Sequence, residues 1–253
     1  MEEKFKKLRT FNLVMAVIHY IQGAAILYLS NNFNLPATSS FLQFDKSTQS
    51  LAPHYQTLFS LNIGPLVALF LFISSFGHLL VGTIFNKWYN QNLAKGINLA
   101  RWIEYFFSAS LMVVIIAMLV GIYDIGTLIL IFFLNGLSIL CGWMMEVHNE
   151  NNQKIHWTSF YFGCIAGISI WSVIALYLFG AGGGVNQAPT FVYWIFFSIF
   201  LVFNTFVVNI VLQYKKVGKW TDYLYGERAF IILSLVAKSL LAWQVFAGTL
   251  RPM

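Results

Sequence analysis

Charge is what this chain has least of. Of its 253 residues only 9% are charged, against 58% hydrophobic and 18% aromatic, whereas a soluble globular chain carries about a quarter of its residues charged. That scarcity excludes a soluble domain and places the chain in a membrane. The strict apolar/polar alternation of a lipid-spanning barrel is also missing. Backbone polar groups in lipid must be satisfied within their own segment or around a closed barrel, so helices remain. Cysteine is limited to Cys141 and Cys164. Both fall inside apolar runs, where a thiol is an ordinary packing residue and says little about redox compartment. No internal repeat is visible. The formal charge of +6 has no soluble face on which to cluster, which excludes a nucleic-acid partner.

What is present is a series of seven apolar stretches, at roughly 11–30, 57–85, 97–120, 125–145, 157–180, 190–213 and 229–250, each long enough for a helix to cross the hydrocarbon core. The expected fold class is an all-α membrane protein, with residues 1–253 forming a single seven-transmembrane-helix domain bounded by lipid. Basic residues fall on alternate connections. Lys4, Lys6, Lys7 and Arg9 precede the first span, and Lys87, Lys95, Lys154, Lys215, Lys216 and Lys219 follow on the same side; the opposite side has Lys46 and Arg251. That bias predicts a multi-pass protein of the cell membrane with a cytoplasmic N-terminus and an extracellular C-terminus. The first apolar run lacks a small-residue cleavage site and reads as an uncleaved span.

Residues 31–55 make a long outer loop whose alternating stretch from Ser40 to Phe44 predicts a small β-hairpin over the outer face. The glycine-rich run from Gly180 to Val185 is not followed by the Lys-Ser/Thr of a phosphate-binding loop, and reads as a flexible outer connection.

Against this background one residue stands apart. Lys238 lies inside the last apolar run, with Arg228 and Arg251 as the nearest charges on either side. An ammonium at the bilayer centre costs at least ~2.5–3.5 kcal/mol, so the residue requires an explanation. A Schiff base between its amine and an aldehyde, with a carboxylate nearby, is the most economical one. Measured from Arg228 by helix rise, Lys238 is about 15 Å deep, while Glu104 is about 13–14 Å from Lys95. His78 and His19 fall at about 13–14 Å and about 15 Å from Lys87 and Arg9. Four ionisable groups from four spans thus form one layer.

Taken singly, a membrane histidine is more often a hydrogen-bonded core residue than a ligand. A structural ion pair is a poor account of Lys238 with Glu104, because buried pairs seldom repay desolvation. Ser234 shares a helix face with Lys238 and Ser108 shares one with Glu104, each one turn away. Tyr105 is placed to wall a pocket, as are Trp102, Phe203, Phe206 and Trp243, although most aromatics in a chain with 25 Phe are simply packing. Two other functions compete. One is an ion channel or transporter, against which the outward half of the last span offers mainly Gln244 and Thr249. The other is a zinc hydrolase built on His19, His78 and Glu104, for which no HExxH motif exists and which Lys238 would repel.

The segments Arg101-Trp-Ile-Glu-Tyr-Phe-Phe-Ser-Ala-Ser and Ser234-Leu-Val-Ala-Lys-Ser-Leu-Leu-Ala-Trp-Gln-Val-Phe closely resemble those of the heliorhodopsins, the inverted-topology branch of microbial retinal proteins. The resemblance extends to His19, to Ser74 through His78 and to the long first outer loop, and so spans essentially the whole chain. It implies a rhodopsin-like bundle with all-trans retinal on Lys238 as a protonated Schiff base and Glu104 as its counterion. Pumping rhodopsins carry a second carboxylate where this chain has Ser234, so a single counterion is implied. By the family pattern His19, His78 and Ser74 form a polar cavity that holds the released proton. The resemblance further implies a light sensor rather than an enzyme, with a slow photocycle, no ion pumping, a homodimeric state and a cytoplasmic signalling partner that the sequence does not name. Some viral members conduct ions, which keeps a light-gated proton channel as the alternative.

Overall fold

Four of the membrane-length helices begin where a short polar side chain can accept a free backbone N–H. Asn62 accepts from Gly64, Asn98 from Arg101, Asp124 from Thr127 and Asp222 from Leu224, which satisfies donors that would otherwise be orphaned at a helix start. In this computed structural model, which describes residues 2–150, 152, 154–180 and 188–251, the caps open α2 (Ile63–Gly82), α4 (Leu99–Leu119), α5 (Ile125–Asn149) and α8 (Tyr223–Val245). With α1 (Glu2–Leu29), α6 (Thr158–Gly180) and α7 (Thr190–Tyr214), these make seven helices long and apolar enough to span a membrane. A short helix, α3 (Asn86–Ala94), lies between α2 and α4, and a π-helical turn, Phe246–Leu250, extends α8.

Helix α4 is the centre of the bundle. Its apolar window is 56% buried, against 22% for each of α5, α6 and α7, whose outward faces carry exposed residues such as Leu130, Phe162 and Leu201. Exposed apolar side chains on that scale are expected where lipid is the solvent. The core around α4 is packed with Phe70, Leu71, Met112, Ile115, Met118 and Leu241, all essentially inaccessible.

The seven expected spans are all present, with three changes at their edges. The expected second span, 57–85, begins in a hairpin: strand β2 (Ser50–Asn62) pairs antiparallel with β1 (Asn34–Asp45), from Asn34↔Asn62 to Asp45↔Ser50, with an irregularity between Ala37 and Thr38. The hairpin is therefore longer than the 31–55 loop. Leu58, Phe59 and Leu61 extend the apolar run by composition, although they belong to the strand that pairs with β1. Thr38 N–H donates to Tyr123 O at 2.8 Å, which ties the hairpin to the α4–α5 connection. At the other end, α1 starts about one span-edge early because Glu2–Lys6 and Glu3–Lys7 pairs at i,i+4 carry it on past the apolar run. The third change matters most to the site: α5 continues to Asn149 and takes Glu146 with it into the bundle. Of the glycine-rich run, Gly180 ends α6, and the rest lies outside the described residues.

The same end of the bundle gathers the N-terminus of α1, the end of α2, α3 and the start of α8. Lys4 Nζ meets Asp222 Oδ2 at 2.8 Å and Arg9 Nε donates to Gly82 O at 2.9 Å. Helix α3 seals this end by burying Tyr89 and Leu93, one turn apart, against a cluster that includes Leu8, Val81, Leu224 and Ile231.

Candidate functional site

Helices α8 and α4 bring Lys238 and Glu104 together. Lys238 Nζ lies 3.0 Å from Glu104 Oε1, 3.4 Å from Oε2 and 2.6 Å from Ser234 Oγ, and 4.9 Å from the centre of the Tyr105 ring. The lysine is 2% exposed. Ser234 sits one turn before it on the same face, as the i,i+4 spacing dictates. From α2, Ser74 donates to Glu104 Oε1 at 2.6 Å. The carboxylate is thus held by an amine on one side and a hydroxyl on the other. Ser108 is fully buried, and its Oγ has no hydrogen-bond partner among the described residues.

On the α1–α2 side of this pair, the His19 and His78 rings are parallel within 5° at 5.7 Å. His78 Nδ1 is 2.7 Å from Asn12 Oδ1. His19 is inaccessible, and neither of its ring nitrogens has a partner among the described residues. Two imidazoles, an amide and a carboxylate in one buried pocket can receive or pass a proton.

On the opposite side lies a cavity of about 270 Å³ with Lys238 and Ser234 in its wall. Trp102 and Tyr105 from α4, Trp171 from α6, Phe203 and Phe206 from α7, and Phe230 from α8 also line it. The aromatic rings meet edge to face, for example Trp171 with Phe203 at 5.9 Å and Tyr105 with Phe206 at 5.7 Å. Gly142 of α5 meets the far edge of the Trp102 indole with no room for a Cβ, which lets the ring reach the α5 backbone. Tyr105 Oη donates to Phe230 O at 2.9 Å, locking α4 to α8 beside the lysine. An elongated apolar molecule bearing an aldehyde fits such a donor set, with aromatic walls for its length and one buried amine to react.

Sequence reasoning named Trp102, Tyr105, Phe203 and Phe206, and all four line this cavity. Trp243 is the exception. Five residues beyond Lys238, it is rotated about 140° round the helix, is 39% exposed, and donates from Nε1 to Gln22 Oε1 of α1 at 3.1 Å. Phe230 and Trp171 were missed. Phe230 is two turns before Lys238 on the stripe that already includes Ser234, so its position was legible; Trp171 has no comparable signal.

A second ionic cluster was missed as well. Arg101 of α4 pairs through its guanidinium with Glu146 of α5 and Glu227 of α8, and all three are buried. The guanidinium also lies over the Phe230 and Trp102 rings, at 4.0 and 4.4 Å from their centres. Asn98 links both acids: its backbone N–H donates to Glu146 Oε2 at 2.9 Å, and its side-chain amide donates to Glu227 Oε2 at 2.6 Å.

Seven membrane-length helices with a lysine–carboxylate pair at the edge of an aromatic cavity have the architecture of the microbial rhodopsins. Solved structures of that fold superpose over nearly the whole chain. They include cyanorhodopsin from the cyanobacterium Tolypothrix sp. (TM-score 0.64, 9% identity, covering 98% of this chain and 96% of that one). A light-driven proton pump from Leptosphaeria maculans matches at TM-score 0.64 and 11% identity, covering 97% and 95% of the two chains. A thermophilic rhodopsin matches at 0.61 and 12%, covering 96% and 91%. Identities this low speak for the fold alone. The heliorhodopsin family model matches residues 8–250, and the chain belongs to the heliorhodopsin family. It is accordingly a multi-pass membrane protein of the retinal-binding class. No curated protein sequence matches it.

Proposed function

We propose that this chain is a light sensor in which all-trans retinal is joined to Lys238 as a protonated Schiff base with Glu104 as the only counterion. The observation that carries the reading is the 3.0 Å contact between Lys238 Nζ and Glu104 Oε1 at the wall of the aromatic cavity. When bound, retinal supplies a light-driven bond rotation beside the lysine nitrogen. Everything else is the work of the chain. Glu104 compensates positive charge at Lys238 Nζ, and Ser74 holds the carboxylate in place. Ser234 accepts from the same nitrogen without adding a charge, where a second carboxylate would give the site an excess negative charge. Trp102, Tyr105, Trp171, Phe203, Phe206 and Phe230 exclude water from the cavity and fix the direction of its long axis. A proton leaving Lys238 Nζ finds acceptors in the pocket of His19, His78 and Asn12, and its departure removes a buried charge pair around which α4 and α8 are packed.

A sensor rather than a pump or channel is favoured by how unevenly the polar groups are distributed. All of those described above lie toward the end that gathers α3 and the helix termini. The opposite half, beyond Lys238, is packed mainly with apolar side chains such as Phe70, Leu71, Ile115, Met118, Leu241 and Val245, and its interior polar contacts among the described residues, Asn135 with Ser110 and Ser198 with Gln244, are isolated pairs that carry no charge. The basic residues at the polar end support a cytoplasmic N-terminus, and that face would meet the signalling partner. A homodimer in the membrane completes the proposal. For the zinc alternative, no group of three His, Cys, Asp or Glu side chains among the described residues is arranged to hold a metal.

The test is a visible absorption spectrum of membranes containing the chain and all-trans retinal, followed by illumination in unbuffered suspension. A visible band that hydroxylamine bleaches, with no light-induced pH change, is the expected result. A protonophore-sensitive pH change would overturn the sensor reading in favour of ion transport, and no band would overturn retinal attachment.

A further inference from the structure

The Arg101 cluster has no part in the function proposed above, yet it is the larger ionic investment. Its formal charge is −1, since two carboxylates face one guanidinium, and an excess charge in a buried site is costly unless something neutralises it. A proton would do so. The two acids are differently held. Glu146 accepts from the Asn98 backbone N–H at 2.9 Å, Trp102 Nε1 at 2.5 Å and Tyr223 Oη at 3.1 Å as well as from Arg101. Among the described residues Glu227 has Arg101 and the Asn98 amide only, and it lines a second cavity.

That cavity, of about 40 Å³, is the connection to the lysine site. One wall is Glu104, His78 and Asn12; another is Glu227, Asn98 and Arg101. Arg101 Nε is buried without a partner among the described residues, and the volume is enough for a water molecule, whose share of liquid is about 30 Å³, to hydrogen-bond it. Tyr89 of α3, itself buried, also lines the cavity together with Val81 and Ile231. The titratable groups facing the pair are therefore Arg101 and Tyr105 from α4, Tyr214 from α7, Tyr223 from α8, Tyr89 from α3, and, across the cavity, Glu104 of α4 and His78 of α2.

We propose that Glu146 and Glu227 are a proton-accepting carboxyl pair, joined through this cavity to Glu104 and His78, and that they give a proton leaving Lys238 Nζ a second resting place inside the chain. The N–H bond at Lys238 breaks and its electron pair stays on nitrogen. An O–H bond forms on the pair, entering at Glu227 and shared with Glu146 as two close carboxylates share one proton. The cluster passes from −1 to neutral, and the charge of the whole chain is unchanged. With Tyr89 buried between this cavity and the outside of the bundle, the proton is stored rather than exported. The light-driven part of this inference rests on the retinal reading; the proton site itself does not.

The experiment uses the full chain, ¹³C-labelled at glutamate, in phosphatidylcholine vesicles and observed by infrared spectroscopy. Without retinal, lowering the pH adds protonated-carboxyl intensity, of which one component disappears in both Glu227→Gln and Glu146→Gln and survives in Glu104→Gln. With retinal, the light-minus-dark spectrum gains intensity in that same component. Glutamine keeps the shape and still accepts from Arg101, so each variant leaves a one-to-one ion pair; Glu227→Asp, which keeps the acid, retains the component at a shifted frequency and guards against a misfolded Gln variant. An acid titration identical in wild type and both Gln variants overturns the proposal, as does a light-induced carboxyl gain that persists in both. A chain that takes up no retinal counts against the retinal reading alone, and the titration still decides the proton site.

Discussion

Two buried ionic groups sit on adjacent turns of α4, and they are built to opposite ends. Glu104 meets a lysine, with one carboxylate, one amine and two serine hydroxyls in a group whose formal charge is zero. Arg101, three residues earlier, is clamped by two carboxylates and an asparagine that caps the helix carrying it. An arginine cannot be deprotonated in a protein and offers a rigid fork of donors, whereas a lysine amine is a nucleophile once it loses its proton. The lysine group is therefore the one that can form a covalent bond. The arginine group fixes α4, α5 and α8 relative to one another, and because the two share a helix, what changes at Glu104 is felt at Arg101 within one turn.

The comparison breaks most completely at the lysine. Lys238→Ala removes the amine, and the visible band should be lost altogether; a normally coloured variant, measured after addition of retinal, would leave the aromatic cavity without its attachment point. Arg101→Met should come next. It leaves two carboxylates facing each other in the bundle, and breaking a buried ion network in this way costs about 3–5 kcal/mol. A fall in the thermal unfolding midpoint of the retinal-free protein would register it, and an unchanged midpoint would remove Arg101 from its anchoring role. Glu104→Gln is smaller in stability because Ser74 and Lys238 can still hydrogen-bond an amide. Its effect is on colour: loss of negative charge beside Lys238 Nζ destabilises the ground state more than the excited state, which moves the absorption maximum to longer wavelength. His78→Ala should leave the band in place while changing the decay of the deprotonated intermediate in flash photolysis, since Asn12 would lose its 2.7 Å partner.

The two groups also differed in how far the sequence disclosed them. Lys238 and Glu104 interrupt long apolar runs, so their depth could be counted from the nearest basic residues and found to agree. Glu146 and Glu227 lie where apolar runs end, one just past the expected fourth span and the other beside Arg228, and there a charge reads as the water interface. Only packing moves them inside. The clue that did exist is a polar stripe on α4, Asn98, Arg101, Glu104 or Tyr105 and Ser108, at i,i+3 and i,i+4 intervals. Such a stripe in a helix this buried demands partners on the facing helices. Hydropathy was equally blind at the hairpin, where the last residues of β2 run on into α2 as one apolar stretch and only pairing with β1 separates them. Trp243 failed for the converse reason, because an aromatic near a reactive lysine in sequence can lie on another face of the same helix.

The smallest expected effect lies outside the membrane, at Asp222, and it tests whether the closed end of the bundle depends on charge as well as on packing. Asp222 Oδ1 accepts from Leu224 N–H at the start of α8, and Oδ2 accepts from Lys4 Nζ at 2.8 Å. The hydrogen bond from Lys4, helped by the Leu224 N–H, holds the carboxyl below the usual aspartate range. A depressed carboxyl contributes stability that is fully present above the ordinary aspartate value of about 3.9 and is lost as the pH falls through the lower folded value. Because both partners are substantially exposed, the contribution is modest. Asp222→Asn keeps an oxygen for the cap while removing the charge, so thermal unfolding at neutral pH should fall slightly and the acid-side decline should become shallower. Should the variant keep the full acid dependence of the wild type, the tie between α1 and α8 would rest on Arg9, Leu8 and the buried face of α3, and the Lys4–Asp222 contact would be an accessory to a seal already made by packing.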